Sequence, residues 1–470
     1  MNMRLVWFVC LAAGVATAGP TFERTWRWNG GSNYGWTVDE TADRGYLVGA
    51  EAGDTVFHRQ PIRAMRIDSL GDTLWTHAFT ATKDLSGGYA CVISGGCALA
   101  GTCPVTVARS DVLVFGVTPD GDSAWSFTYS QGYNVVYDAA STPDGGVVVL
   151  GQLTAGGPSG PGLIRLDSAG ALVWLKVFGL PYQAYPRTVQ VTPDRGFIIS
   201  LQSRPPGGSF ADSIWLLRTD SLGDTLWTRN YGSRVPRTYS MCVTPDGGFA
   251  VGATAVGSGG HDVGCLLRTN AEGESLWTRR YELDTFFASE VRAVSVTHDH
   301  GFILAGTATY MTGLSTPLWL LRTDSAGNML WYTAFLPSSA RTAIGRDVKE
   351  TADHGFVVIG DADSMRVYFV KTDSLGGFVP GVAEGPHSAV AGPVLTASPN
   401  PANRYVRIRY VLPGTGRAQL RIRDVAGRLA RTFSLSSNEA TLDLGGLPAG
   451  IYLFDLRRAG CTVRGRLSLN

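Results

Sequence analysis

The sequence predicts an all-β chain: a seven-bladed β-propeller with four-stranded blades, its N-terminal strand closing the last blade, followed by a small Ig-like β-sandwich. Three observations carry this. Two short motifs alternate along the chain and each recurs seven times. The period is close to fifty residues, the length of one four-stranded propeller blade. The C-terminal stretch then drops the repeat and keeps only the period-two alternation of half-buried strands.

The first motif reads RIDSLGDTLW at 66–75 and returns as GVTPDGDSAW, RLDSAGALVW, RTDSLGDTLW, RTNAEGESLW and RTDSAGNMLW, with a degraded copy, KTDSLGGFVP, at 371–380. Its glycines, Gly71, Gly121, Gly170, Gly223, Gly273, Gly327 and Gly376, are 49 to 54 residues apart. The second motif reads ADRGYLVG at 42–49 and recurs in forms such as PDGGVVVLG at 143–151 and PDGGFAVG at 245–252. Between 237 and 281, RTYSMCVT, FAVGATAV, DVGCLLRT and SLWTRRY read as four strands in short β-branched and aromatic runs. The turns between them carry Pro, Asp, Ser and Gly, which accept turn backbone angles. A thin sheet of this kind cannot hide its own apolar face, and radial stacking supplies the missing partners. Trp75, Trp125, Trp174, Trp227, Trp277 and Trp331 recur once per unit. They are expected to pack at blade interfaces, where burying an aromatic side chain contributes roughly 1.5–3 kcal/mol.

Both ends support ring closure. FERTWRWNGG at 22–31 resembles the fourth strand of a unit, and the last unit lacks a good fourth strand of its own. The N-terminal strand is expected to fill that place and remove an open sheet edge. Ahead of it, Arg4, the apolar run to Ala16 and the Ala16-Thr17-Ala18 site read as a signal peptide over 1–18. The propeller then spans 19–375, a linker 376–397, and the sandwich 398–470. No later apolar stretch approaches a membrane span.

Charge is uneven. The segment 393–470 holds twelve arginines and four acids, so the remainder of a chain of net charge +1 is acidic. An acidic propeller disfavours nucleic acid, and the basic tail alternates its arginines as a solvated sheet face does. Export permits disulfides. Cys91 and Cys97 flank a turn and are candidates to pair, whereas Cys242 and Cys265 are expected on strands with another between them. The cysteine spacings match no zinc site.

In the tail, Pro399-Asn400-Pro401-Ala402, the stretch from Ile422 through Asp424 and Gly427 to Arg428, and Leu447-Pro448-Ala449-Gly450-Ile451-Tyr452 occur in that order. Together they resemble the type A C-terminal sorting domain of the type IX secretion system. The resemblance covers about 75 residues at the C-terminus. It implies handling by the type IX machinery and delivery, via the periplasm of a Gram-negative bacterium, to the medium or the outer-membrane surface. Asn400, Pro401, Asp424, Gly427, Arg428, Pro448, Gly450 and Tyr452 are the residues that carry it. The central units are similar to the repeats of secreted bacterial propellers, which fixes architecture and not activity.

The sequence shows no catalytic motif of the serine hydrolase, zincin, Walker or dinucleotide-binding kinds. His298 and His300 bracket Asp299, but THDHGF stands where other units have TPDGGF, so these read as turn tips and no metal is assigned. The D-S-x-G-D turns offer oxygen ligands for Ca²⁺, with a purely structural turn preferred. The D-x-x-G-x-x-x-W pattern is similar to the Trp-docking motif of quinoprotein propellers, one residue shorter between Asp and Gly, and no adjacent cysteine pair accompanies it. No cofactor is assigned.

Topology places uniform tight turns on one face and variable loops on the other. Binding sites concentrate in variable loops on rigid scaffolds. Tyr182, Tyr185, Phe210, Phe286, Phe287 and Tyr310 are the candidate contact residues there. The expectation is a non-enzymatic exported propeller that binds a protein or a glycan. The alternatives are an exported enzyme, either a quinoprotein-like oxidoreductase or a glycan-active hydrolase or lyase, and a structural cell-surface component.

Overall fold

The computed structural model describes residues 21–377 and 394–469, apart from 29, 55–60, 81–83, 181–182, 205–212, 233–236, 284, 312, 314, 399–403, 412–416, 425–427, 438 and 459–460. The proposed leader, most of the linker, Tyr182, Phe210, Asn400, Pro401 and Gly427 therefore lie outside the described residues. Among the described residues every regular element is a strand. No helix among the described residues is long and apolar enough to cross a membrane.

Seven antiparallel four-stranded sheets form the blades. Blade one runs Gly30–Glu40, Tyr46–Asp54, Ile62–Ile67 and Thr73–Phe79 in chain order, and five more blades repeat that order. Blade seven is composite. Ala343–Glu350, Phe356–Ala362 and Arg366–Thr372 supply three strands, and Phe22–Trp26 pairs outside them, from Phe22 opposite Lys371 to Trp26 opposite Val367. Strand and blade order thus close the ring as the repeat predicts.

Burial grades outward. The second and third strands of a blade are almost wholly buried, as in Phe249–Val256 and Asp262–Thr269, because neighbouring blades cover both their faces. Fourth strands such as Ser275–Tyr281 are mostly exposed. The repeated tryptophans are half-buried there and lie across the gap to the following blade. A Cβ built on the turn glycine of that next blade meets the indole: Trp125 over Gly170, Trp227 over Gly273, Trp277 over Gly327, Trp331 over Gly376, all within 2.3–2.7 Å. These glycines also have φ between +72° and +79°. Both facts demand glycine, one for space and one for the left-handed backbone. In blade seven Phe22 takes the tryptophan's place and packs over Gly71.

A second device repeats in six blades. A third-strand cation, Arg66, Arg165, Arg218, Arg268, Arg322 or Lys371, reaches from the sheet interior to an aspartate at the first tight turn of its own blade, respectively Asp43, Asp144, Asp194, Asp246, Asp299 or Asp353. Each aspartate also accepts from a turn threonine, for example Thr244 Oγ1 to Asp246 Oδ1 at 2.6 Å. Blade two has Gly116 at the cation's position, with the Trp125 ring laid against it. In the other turn, the leading aspartate accepts two backbone N–H groups; Asp220 Oδ1 takes those of Leu222 and Asp224 at 2.9 and 2.8 Å. Turn capping thus uses an oxygen that a cation would otherwise draw on.

Cys91 and Cys97 are free buried thiols, not a disulfide. Cys97 sits opposite Val92, so Cys91, one residue earlier, faces the other side of the sheet. Cys242 and Cys265 occupy the first and third strands of blade five.

The C-terminal part is two antiparallel sheets. One orders Val394–Ser398, Tyr405–Val411 and Glu439–Asp443; the other orders Leu429–Leu435, Ala418–Asp424, Gly450–Arg458 and Cys461–Leu469. Val406, Ile408, Leu420, Ile422, Leu442, Phe454 and Leu456 fill the space between them. Asp424 closes its turn by accepting from Arg428 N at 2.9 Å and Arg428 Nε at 2.7 Å. Tyr452 donates its hydroxyl to Pro448 O at 2.8 Å, tying two sorting-motif residues together.

Candidate functional site: the axial cavity

The seven innermost strands, Gly30–Glu40, Ser86–Ile93, Val135–Ser141, Gln183–Val191, Arg237–Val243, Phe286–Val296 and Ala343–Glu350, surround a cavity of about 710 Å³, and every residue lining it lies on one of them. That volume suits a small ligand.

Each innermost strand carries a β-bulge at the same height, between Gly35 and Thr37, Gly87 and Tyr89, Val136 and Asp138, Pro186 and Thr188, Thr238 and Ser240, Val291 and Ala293, and Gly345 and Asp347; Gly30–Glu40 and Phe286–Val296 have a second irregularity nearer their starts. A bulge re-aims its extra residue. The extra residues are Trp36, Gly88, Tyr137, Arg187, Tyr239, Arg292 and Arg346. All but Gly88 line the cavity. Every residue lining the cavity lies at this bulge or between it and the first tight turn, so the collar forms the end of the cavity nearer the variable loops.

Guanidinium and aromatic groups are interleaved in the collar, with Arg292 and Arg346 on adjacent blades. Arg292 and Arg187 lie against Tyr239, 4.7 and 5.3 Å from its ring centre. Arg346 lies 4.6 Å from the Trp36 ring and 5.1 Å from Tyr34. Second-strand groups hold the arginines from behind: Arg346 Nε donates to Asp361 at 2.5 Å and Arg187 Nη2 to Gln202 Oε1 at 2.5 Å. Arg292 Nη2 donates to Glu290 Oε2 at 2.9 Å, from the same strand. Arg187 Nε and Arg292 Nε are buried with no hydrogen-bond partner, as is the acceptor Gln152 Oε1. Buried donors of this kind ordinarily have a partner.

One residue deeper, side chains stitch blade to blade. Thr37 Oγ1 accepts from Ala90 N at 2.9 Å, Asp138 from Val189 N at 2.9 Å, Ser240 Oγ from Val294 N at 3.2 Å and Asp347 from Val38 N at 3.0 Å. Below them stand Asp39, Cys91, Gln190, Cys242, Ser295 and Lys349. Burial pushes the Asp39 carboxyl up to about 6, with Lys349 opposing and Asp347 adding to the shift. Burial likewise lifts Asp138 to about 6 against its hydrogen bonds from Thr188 and Val189. Lys349 is held protonated above the usual lysine range by Asp347, 3.5 Å away, against the effect of burial. A cationic, aromatic collar therefore stands over a floor whose acids change charge near pH 6.

Of the six aromatic residues expected to form a contact surface, Tyr182 and Phe210 lie outside the described residues, and the other four sit in different surroundings. Phe286 is buried against Tyr310 and Tyr332, at centroid distances of 5.2 and 6.1 Å. Tyr310 is partly buried with it. Phe287 is exposed and lies tilted against His261, ring centres 3.7 Å apart. Tyr185, two residues ahead of Arg187 and 41% exposed, does not line the cavity, but it lies near enough to Tyr137 to raise that phenol's pKa, behind the larger effects of burial, which raises it, and Arg187, which lowers it.

The collar has a sequence signal that motif searching passes over. Five residues ahead of the turn threonines Thr41, Thr142, Thr192, Thr244, Thr297 and Thr351 stand Trp36, Tyr137, Arg187, Tyr239, Arg292 and Arg346. Read unit by unit they interrupt nothing; read as one column they are large, aromatic or cationic throughout.

No curated protein matches the chain. Among solved structures it is similar to PorZ, an essential bacterial surface component of the type-IX secretion system of Porphyromonas gingivalis, at 13% identity and a TM-score of 0.40 over 91% of this chain and 69% of that one. It is similar to the β-propeller domain of the Trilobed protease from Pyrococcus furiosus at 9% identity and a TM-score of 0.44, covering 76% of this chain and 95% of that one. Puromycin hydrolase matches at 14% identity and a TM-score of 0.49 over 81% of this chain and 59% of that one. The family model for the secretion system C-terminal sorting domain matches residues 397–468. Those residues hold most of the two-sheet unit, with its Asp424–Arg428 turn and Tyr452–Pro448 tie, so the chain ends in a type IX secretion sorting domain, which marks it for secretion via the periplasm to the cell surface.

Proposed function

We propose that the mature protein is an exported binding propeller that takes the carboxylate of an acidic saccharide at its axial mouth. In this reading residues 1–18 are a leader removed on export, 19–375 are the binding domain, and 398–470 are the address. The observation that supports it is the placement of Arg187, Arg292 and Arg346 at homologous bulges around one cavity. Two of them keep a buried Nε without a partner. Guanidinium groups pair with carboxylates through paired, charge-assisted hydrogen bonds. Trp36 and Tyr137, which line the same cavity, give apolar ring surface for a sugar.

A panel of uronic-acid and neutral oligosaccharides of equal length tests this by calorimetry. The acidic members should bind and the neutral ones should not. The double variant Arg187→Ala with Arg292→Ala should weaken binding by about 100-fold or more, since each lost bond to a charged group costs roughly 1.5–3 kcal/mol. Equal affinity for neutral sugars, or a double variant that binds unchanged, overturns the reading.

A hydrolase or lyase reading draws on one observation: Asp39 and Asp138, both shifted to about 6, are poised to exchange protons near neutral pH. Product release from a bound acidic oligosaccharide, abolished in Asp138→Asn with binding retained, would establish it in place of simple binding.

A further inference from the structure

On the face opposite the cavity mouth, the first tight turns of blades six and seven bring together His298, Glu350 and His354. Glu350 Oε1 lies 2.5 Å from His298 Nδ1 and 3.5 Å from His354 Nδ1. The two imidazole rings stand 3.8 Å apart, centre to centre. The donor atoms of all three residues fall within 4.8 Å of one another. His300, the sequence neighbour of His298, is not in this cluster.

The repeat supplies its own control. At the next interface Glu40 Oε2 accepts from Ala352 N at 2.7 Å, as Glu350 Oε2 accepts from His298 N at 2.6 Å. There the positions matching His298 and His354 are Ala352 and Arg44, so capping the neighbouring turn needs no histidine. His354 holds a left-handed backbone, φ 63°, as Arg44, Arg195 and His300 do at the same turn position of their own blades.

We propose that His298, Glu350 and His354 bind one divalent transition-metal ion of the zinc class, clipping blade six to blade seven. Two imidazoles and a carboxylate are borderline donors that suit zinc and disfavour magnesium or calcium. Tetrahedral zinc at about 2.0–2.1 Å from its ligands sets donors about 3.3 Å apart. Glu350 and His354 stand near that spacing, and His298, 54% exposed, has to open by under about 1 Å. The fourth position faces solvent and takes a water. The clip joins two blades that are consecutive in the chain, on the inner-strand side of blade seven and away from the outer edge where Phe22–Trp26 closes the ring.

Untagged, chelator-stripped mature protein titrated with ZnCl₂ should bind one equivalent and gain a few degrees in melting temperature. Co²⁺ should give the visible bands of a low-coordinate site. His298→Ala and His354→Ala should each weaken zinc binding at least tenfold and abolish the thermal gain, whereas His300→Ala should keep both. Metal-free melting of each variant, compared with wild type, separates loss of ligand from loss of fold. Zinc uptake that survives the two histidine substitutions together, or no uptake at micromolar zinc by a protein that melts cooperatively, overturns the proposal.

Discussion

At the scale of single residues the blade depends on pairs that must be chosen together. Arg268 is one such choice. Its side chain is 8% exposed and donates to the carbonyls of Phe249 and Thr269 and, at 2.5 Å, to both oxygens of Asp246. Partial burial raises the Asp246 carboxyl, but Thr244 and Arg268 outweigh it and hold it at about 2. Arg268→Met keeps most of the bulk and removes the donors, leaving a carboxylate and two carbonyls short of partners. We expect a loss of roughly 1.5–3 kcal/mol, read from the urea midpoint; an unchanged midpoint would show the pair to be mere surface pairing. Gly327 is a second choice. Its φ of +77° and the Trp277 ring 2.6 Å from any added Cβ penalise a side chain twice. Gly327→Ala should therefore cost more than the roughly 1 kcal/mol typical of a left-handed alanine, and the double variant Gly327→Ala with Trp277→Ala should recover only the steric part. Additive losses would mean that ring and turn are independent.

At the scale of elements, most of the architecture is legible in the sequence. The tight turns announce themselves through Asp, Gly and Pro, and the strands between them through β-branched runs. The composite blade is legible too, because FERTW matches the rhythm of a fourth strand although Phe22 replaces the tryptophan. The site is not legible in the same way. A bulge leaves no local composition signal, since the extra residue sits inside an ordinary alternating strand, and only the ring brings Arg187, Arg292 and Arg346 to one cavity. Aromatic content in the variable loops does not by itself mark a surface, because Phe286 and Tyr310 pack against each other at the ends of their strands. Cys91 and Cys97, near in sequence, face opposite sides of a hairpin. The closing strand yields a direct prediction. Phe22 is 4% exposed and packs flat on Phe369, with centroids 5.6 Å apart. Phe22→Ala should cost about 3–5 kcal/mol. Removing residues 21–28 should expose the edge at Arg366–Thr372 and produce concentration-dependent association, seen by light scattering. A monomer of undiminished stability would mean that the ring does not need its seam.

At the scale of the whole molecule, two populations of carboxyl groups pull stability in opposite directions with pH. The turn acids, including Asp246 and Asp299, sit at about 2 in the fold, where threonine hydroxyls and arginines outweigh partial burial. Their folded pKa is below the unfolded value near 4, so their contribution is present above pH 4 and is lost as pH falls toward 2. The cavity acids Asp39 and Asp138 sit at about 6 because burial disfavours their charge. The fold binds their protons more tightly than the unfolded chain does, so stability declines as pH rises from 4 to 6. Melting temperature should therefore rise from pH 2 to a crest near pH 4 and then fall toward pH 6.5. Asp39→Asn with Asp138→Asn should flatten the falling limb and leave the rising one. The same protons bear on the mouth. Protonating Asp39 and Asp138 removes two negative charges from beneath Arg187, Arg292 and Arg346, so a uronic-acid oligosaccharide, still ionised at pH 5, should bind more tightly there than at pH 7. In the double asparagine variant that gain should disappear while binding itself persists. A melting profile that climbs steadily to pH 7, together with an affinity indifferent to pH, would mean that the floor of the cavity does not carry the charge its burial implies. Under the binding reading, then, collar and floor act as one electrostatic unit: the three guanidiniums attract the carboxylate, and the two buried acids set the pH at which that attraction is strongest.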